Sequence, residues 1–208
     1  MIEDRKILDL KEAKYNLESF TYEMKNGLDS YGNYEHFIDP ALKADFVAQL
    51  ADTEAWIYGD GENAPLDAQR ARLQHLQALG NPVKTRWRFH QDFEDYISIF
   101  SKYKLQATES MANIKHLTDE NRNLIMDKCQ VMETMLMDLR QKMETQPKYV
   151  DLPMTLDDLE RRQIALENEV SAILATPAPA PKKPEEEKKN EETAPNDAEM
   201  RDETPAQD

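Results

Sequence analysis

The sequence predicts an all-α protein: a three-helix bundle extended by further long helices and followed by a disordered acidic tail. Two observations carry that class. Through about residue 176, apolar side chains recur at three- and four-residue steps, the repeat of one helix face. The 208 residues include five glycines, and 32% of them are charged, a usage that suits helices.

Composition narrows the functional classes. There is room for one domain, or one domain and a tail. With 26 basic and 41 acidic residues and a net charge of −15, general binding of nucleic-acid phosphates is disfavoured, because it needs Lys and Arg to displace counterions. Anionic membrane surfaces are disfavoured for the same reason. The single cysteine, Cys129, has no partner for an internal disulfide and suits a reducing compartment. No run approaches the ~20 consecutive apolar residues of a bilayer-spanning helix. Charges from Glu3 to Lys6 leave no signal-peptide run, and Thr204 to Asp208 is not an endoplasmic-reticulum retention signal. The cytoplasm is the expected compartment, with the nucleus as a further one.

The first helix is expected from about Ile2 to Lys25, with Leu10, Ala13, Leu17, Phe20, Met24 and Leu28 on one stripe and Gly27 weakening or capping its end. Tyr31 to Tyr34 reads as loop. Asp39-Pro40 starts a second helix, Asp supplying a cap and Pro fitting the first position. Phe46, Leu50 and Ile57 form its stripe beside Trp56, and Gly59 is placed to end it in the left-handed conformation. Trp56 reads as a core anchor in preference to a ligand-stacking ring. Gly59 to Pro65 is a polar turn; Asp60 and Glu62 lack the spacing of a calcium loop.

A third helix places Leu66, Leu73, Leu76 and Leu79 inward, and Gly80-Asn81-Pro82 is a stop-and-restart signal. From Val83 a long helix carries Val83, Trp87, Phe93, Ile97 and Phe100 inward and weakens beyond Lys104; continued to Lys115 it would be about 50 Å long. Thr118-Asp119 caps a further helix striped by Leu124, Val131, Met135 and Leu139. Around that stripe stand Met126, Met132, Met137 and Met143, read as core filling, with an adaptable binding surface as the alternative. Pro147 and Pro153 bracket an extended connection. Thr155 to Asp158 has capping-box form, and Leu156, Leu159, Leu166, Val170 and Ile173 stripe the last helix. After Thr176 come Pro-Ala repeats and then Lys182 to Asp208, where Met200 is the one large apolar side chain. Such a stretch cannot offset its ordering entropy by burial and is expected to be disordered. Its Glu185-Glu186-Glu187 and Lys188-Lys189 clusters read as solvated charge.

Reactive constellations are missing. His36, His75, His90 and His116 have no metal-ligand spacing. Cys129 has no adjacent histidine and reads as an inert buried thiol. Asp157-Asp158 falls in a first helical turn, where carboxylates oppose the positive helix end. There is no phosphate-binding glycine loop and no nucleophile motif. No residue is assigned a catalytic, cofactor-binding or metal-binding role.

Three stretches resemble the heat-shock protein 110 family, the large divergent branch of the heat-shock protein 70 superfamily. Thr53-Glu54-Ala55-Trp56-Ile57-Tyr58-Gly59-Asp60-Gly61-Glu62 is similar to a Thr-Glu-x-Trp-Leu-Tyr-x-x-Gly-Glu segment in the helical C-terminal substrate-binding or lid region of that family. It departs at Ala55 and Gly59, where the family carries more acidic or amide side chains. Asn16 to Lys25 resembles a run shared by the whole superfamily, and Leu79 to Trp87 resembles Leu-x-x-Gly-x-Pro-Val/Ile-Lys-x-Arg followed by an aromatic. The specific motifs lie between about residues 5 and 105.

The resemblance implies a C-terminal fragment beginning at Met1, with a lid-like bundle over 1–105, additional helices over 106–176 and a tail over 177–208. The whole protein would be a chaperone and nucleotide-exchange factor for heat-shock protein 70 that also holds unfolded clients. ATP and magnesium would bind in a domain this chain lacks, so the chain itself is expected to hold no cofactor and not to be an enzyme. Its expected partners are the heat-shock protein 70 ATPase domain and unfolded clients, with the fragment monomeric. The alternative is a free-standing helical scaffold, which long unbroken heptads would mark; here turns interrupt the stripes roughly every 15 to 30 residues.

Overall fold

The computed structural model describes residues 2–178, and these form five helices and no strand: α1 Ile2–Leu28, α2 Pro40–Ile57, α3 Leu66–Asn113, α4 Asp119–Thr145 and α5 Leu156–Leu174. The all-α expectation is borne out. The tail expected to be disordered falls, from residue 179 onward, outside the described residues.

The helix starts follow the capping residues. The Asp39 carboxylate accepts from the Ala41 amide at 2.9 Å, and Pro40 opens α2. The Thr118 hydroxyl accepts from the Asn121 amide at 3.2 Å and starts α4. At α5 the Thr155 hydroxyl accepts from the Asp158 amide while the Asp158 carboxylate accepts from the Thr155 amide, a reciprocal box. Each satisfies amides that the first turn of a helix leaves without internal partners.

Two apolar cores lie along α3. In the first, Leu17, Phe20, Met24 and Leu28 of α1 meet Phe46, Leu50 and Ile57 of α2 and Leu76 and Val83 of α3. In the second, Phe89, Phe93 and Phe100 of α3 pack with Ile125, Leu136 and Leu139 of α4 and Leu159 and Val170 of α5. One helix of 48 residues serves both, a rod of about 72 Å.

That continuity corrects the break expected at Gly80-Asn81-Pro82: Pro82 lies inside α3. Mid-helix Pro removes one hydrogen bond and costs about 3 kcal/mol. Packing beside it outweighs that cost. Val83 is buried, and the missing side chain of Gly80 lets α1 approach so closely that a Cβ there would lie 2.8 Å from the Phe20 ring and 3.2 Å from Met24.

Other expectations are corrected in detail. The inward face of α4 is Ile125, Cys129, Met132, Leu136 and Leu139, whereas Leu124 is 43% and Val131 71% exposed. Two apolar stripes overlap on this helix, and the buried one is the stripe that turns Cys129 and Met132 toward α3 and α5. Met126 and Met137 are exposed and Met143 is half-buried, so core filling holds for Met132 and not for the whole set. Leu79 is exposed, and Leu73 is only half-buried against the first core. Helix α1 runs past Gly27 to Leu28. Gly59 is not left-handed; Tyr58 ends α2 at φ −95° and ψ 1°, and the one positive φ among the described residues is Tyr31 at 71°. The connection after α4 turns rather than running extended, with the Val150 amide on the Pro147 carbonyl at 3.0 Å.

Candidate interaction groove

Trp56 anchors the end of α2 without entering the core: it is half-buried at the core's edge, which corrects the expectation of a core anchor. The Arg72 guanidinium stands 4.6 Å from its ring centroid and binds Asp52 at 2.8 Å. On the other side the chain folds back, and the Gly61 amide donates to the Trp56 carbonyl at 2.7 Å. Only glycine fits there, since a Cβ at Gly61 would lie 2.5 Å from the indole. This clamp fixes Tyr58, which projects outward from the end of α2.

Tyr15 and Tyr22, seven residues apart, lie on α1 off the stripe that buries Leu17 and Met24. With Tyr58 they are 66%, 69% and 70% exposed. These rings, with Glu18, Ser19, Glu54 and Ile57, line an open groove between α1 and α2. The wall is rigid. The buried Thr21 hydroxyl donates to the Leu17 carbonyl at 2.7 Å, and a Lys25–Glu54 ion pair ties the two helices. Glu18 has no ion-pair partner among the described residues. A second depression shares Tyr22 and continues over Glu23 to Tyr31. Burial pushes the Glu23 carboxyl up, but hydrogen bonds from Lys84 and Tyr34 outweigh it and hold the group below the usual range. Burial, and then the same contact, raise the Tyr34 phenol. Glu23 therefore stays ionised beside the exposed Tyr22 and Tyr31 rings.

Exposed tyrosines offer large amphipathic contact area with few torsions to freeze. Carboxylates among them add charge-assisted hydrogen bonds to cationic groups. The arrangement suits recognition of another macromolecule. Sequence reasoning quoted the stretches that hold Tyr22 and Tyr58, but not Tyr15, and gave none of these tyrosines a role. The available signal was a pair of tyrosines one heptad apart on the side of α1 away from its apolar stripe.

The four histidines are not brought together. His75 shares a hydrogen bond with Gln49 at 2.8 Å, His116 with the Thr176 carbonyl at 2.9 Å, His90 packs on Phe37, and His36 is exposed. Cys129 is a buried free thiol, its pKa raised by that burial. Asp158 serves the α5 cap; the Thr155 amide and hydroxyl and Arg161 hold its carboxyl down to about 2. Asp60 and Glu62 are exposed on the turn after α2. A separate groove between α4 and α5 is lined by exposed Val131 and half-buried Met135 beside Leu166.

The described residues thus form a helical bundle that presents an aromatic and acidic groove. No family model matches the chain, and no solved structure matches it. Curated relatives do. Heat shock protein 110 of Caenorhabditis elegans is 31% identical over 84% of this chain and 24% of its own length. Heat shock 70 kDa protein 15 of Arabidopsis thaliana is 26% identical over 87% of this chain and 22% of its own. Heat shock 70 kDa protein 4L of Homo sapiens is 26% identical over 98% of this chain and 25% of its own. The chain is thus a homologue of heat-shock protein 70 superfamily chaperones, heat-shock protein 110 among them, and it spans about a quarter of their length. The resemblance read from residues 16–25, 53–62 and 79–87 is borne out.

Proposed function

We propose that this chain is the partner-binding helical arm of a chaperone that acts as a nucleotide-exchange factor for heat-shock protein 70 and holds unfolded clients. One observation supports this above the rest. The stretches 16–25 and 53–62, which carry the family resemblance, meet at the exposed Tyr15–Tyr22–Tyr58 groove. The proposed occupant of the groove is the heat-shock protein 70 ATPase domain. The chain supplies binding and no catalysis; ATP and magnesium belong to another domain of the whole protein, which works in the cytoplasm. The chain alone is monomeric.

Exchange requires the open form of the partner's nucleotide cleft to be bound more tightly than the closed form. An arm that grips a surface unchanged between the two adds affinity and shifts nothing. The test follows release of a fluorescent nucleotide from heat-shock protein 70 with this chain, with the whole protein, and with the whole protein lacking these helices. The expected result is no acceleration by the chain alone and reduced potency when the helices are removed. Strong acceleration by the chain alone would place the exchange machinery within these helices and sink the division of labour.

A further inference from the structure

The joint between the two cores is built around Phe37. It comes from the connection between α1 and α2 and is buried. His90 of α3 packs edge-on against its ring, with centroids 5.2 Å apart and planes at 68°. The Lys148 ammonium, from the connection between α4 and α5, stands 5.6 Å from the same ring centroid. One helical turn before His90, Arg86 donates from Nη1 to the Phe37 carbonyl at 3.0 Å and from Nε to Asp151 at 2.7 Å. Three segments distant in sequence therefore converge on one ring. Arg86, His90 and Lys148 are the cationic or protonatable groups around it, and Asp151, already held by Arg86, is the carboxylate among them.

We propose that this joint is a proton-operated latch, in which protonation of His90 adds a third cation beside Arg86 and Lys148 and releases residues 147–155 from α3. The cation–π contact of Lys148 and the packing of His90 share one ring, so repulsion between the two acts where the connection is attached. The ties that oppose release are the Arg86–Asp151 pair, whose carboxylate is mostly in water, and the packing of half-buried Leu152 and Met154 on the second core. Burial, and then the Lys148 charge, hold the His90 pKa below the usual histidine value. The latched form thus resists the proton, while a released His90 titrates near the ordinary value of about 6.5. The sign follows: the latch is fully favoured above that pH and is lost as pH falls below it through the depressed value.

The test is amide hydrogen exchange on the whole chain at about pH 7.5 and about pH 5.5, with rates corrected against an unstructured peptide for intrinsic acid dependence. Wild type is expected to lose protection severalfold at low pH in residues 150–155, with amides around Leu50 of α2 unchanged. His90→Gln, which cannot gain the charge, is expected to show no pH response there. Lys148→Met, which keeps the histidine but removes the repulsion, is expected to show a smaller response and a raised His90 pKa by nuclear magnetic resonance. The latch is overturned if wild type shows no local response, if His90→Gln keeps the wild-type response, or if Lys148→Met leaves both response and pKa unchanged.

Discussion

The Tyr96 hydroxyl of α3 donates to the Leu159 carbonyl of α5 at 2.8 Å, inside the second core. It is a long-range polar tie in otherwise apolar packing, and it fixes the height at which α5 sits against α3. Burial raises the Tyr96 phenol, so the donor stays protonated throughout the physiological range. Tyr96→Phe should cost about 1 kcal/mol, the usual net value of one hydrogen bond, because the Leu159 carbonyl keeps its place in the α5 ladder. Urea denaturation measures this; a neutral substitution would mean the bond contributes nothing to docking.

Phe93 and Trp56 should rank opposite to their size. Phe93 is fully buried and stacks on Phe89 with centroids 5.2 Å apart, so Phe93→Ala should cost about 3–5 kcal/mol. Trp56 is half-buried and keeps a wet edge under Arg72, so Trp56→Ala should cost about 2 kcal/mol, from partial burial plus the cation–π contact. A larger loss at Trp56 than at Phe93 would restore the core-anchor reading of the tryptophan.

Pro82 is exposed within a continuous helix. Pro82→Ala should return the missing backbone hydrogen bond without removing core contacts. The gain should be about 1–2 kcal/mol, the helix penalty of Pro reduced by its restriction of the unfolded chain. Thermal melting reads the effect as a raised midpoint; a lowered one would show that α3 needs its local distortion at this point.

The α5 cap gives a pH dependence with a definite sign. The Asp158 carboxyl is held down to about 2 from 3.8, so its contribution is present above that ordinary value and is lost as pH falls through about 2. The α5 first-turn amides should lose exchange protection in that window, and Asp158→Asn should remove the dependence. Thr155→Ala should cost about 0.5–2 kcal/mol at neutral pH, the usual cost of a lost N-cap.

Legibility in the sequence tracked the locality of the cause. The α2 and α5 starts were readable because Asp39-Pro40 and Thr155–Asp158 act on amides two or three residues away. The α1 stripe was readable because Leu17, Phe20 and Met24 have no competing apolar neighbours. The α4 face was not, because Leu124/Val131 and Ile125/Met132 are equally periodic and the choice between them is made by α3 and α5. Continuity through Pro82 depended on Phe20 and Met24, some 60 residues away in the chain. The groove was legible as family motifs but not as a surface. Tyr15, Tyr22 and Tyr58 come together only when α1 and α2 pack, and an exposed tyrosine leaves no mark in a burial pattern.

The central claim, that the α1–α2 groove is where a heat-shock protein 70 partner docks, is tested most directly by calorimetric titration of its ATPase domain with this chain. Wild type should bind one to one. A Glu18→Lys, Tyr22→Ala double variant alters two exposed side chains and should keep its melting midpoint. It should bind at least about tenfold more weakly, about 1.4 kcal/mol or more, as expected for a central aromatic and charged anchor. Retention of wild-type affinity by that variant, or failure of the wild-type chain to bind at all, would contradict the claim.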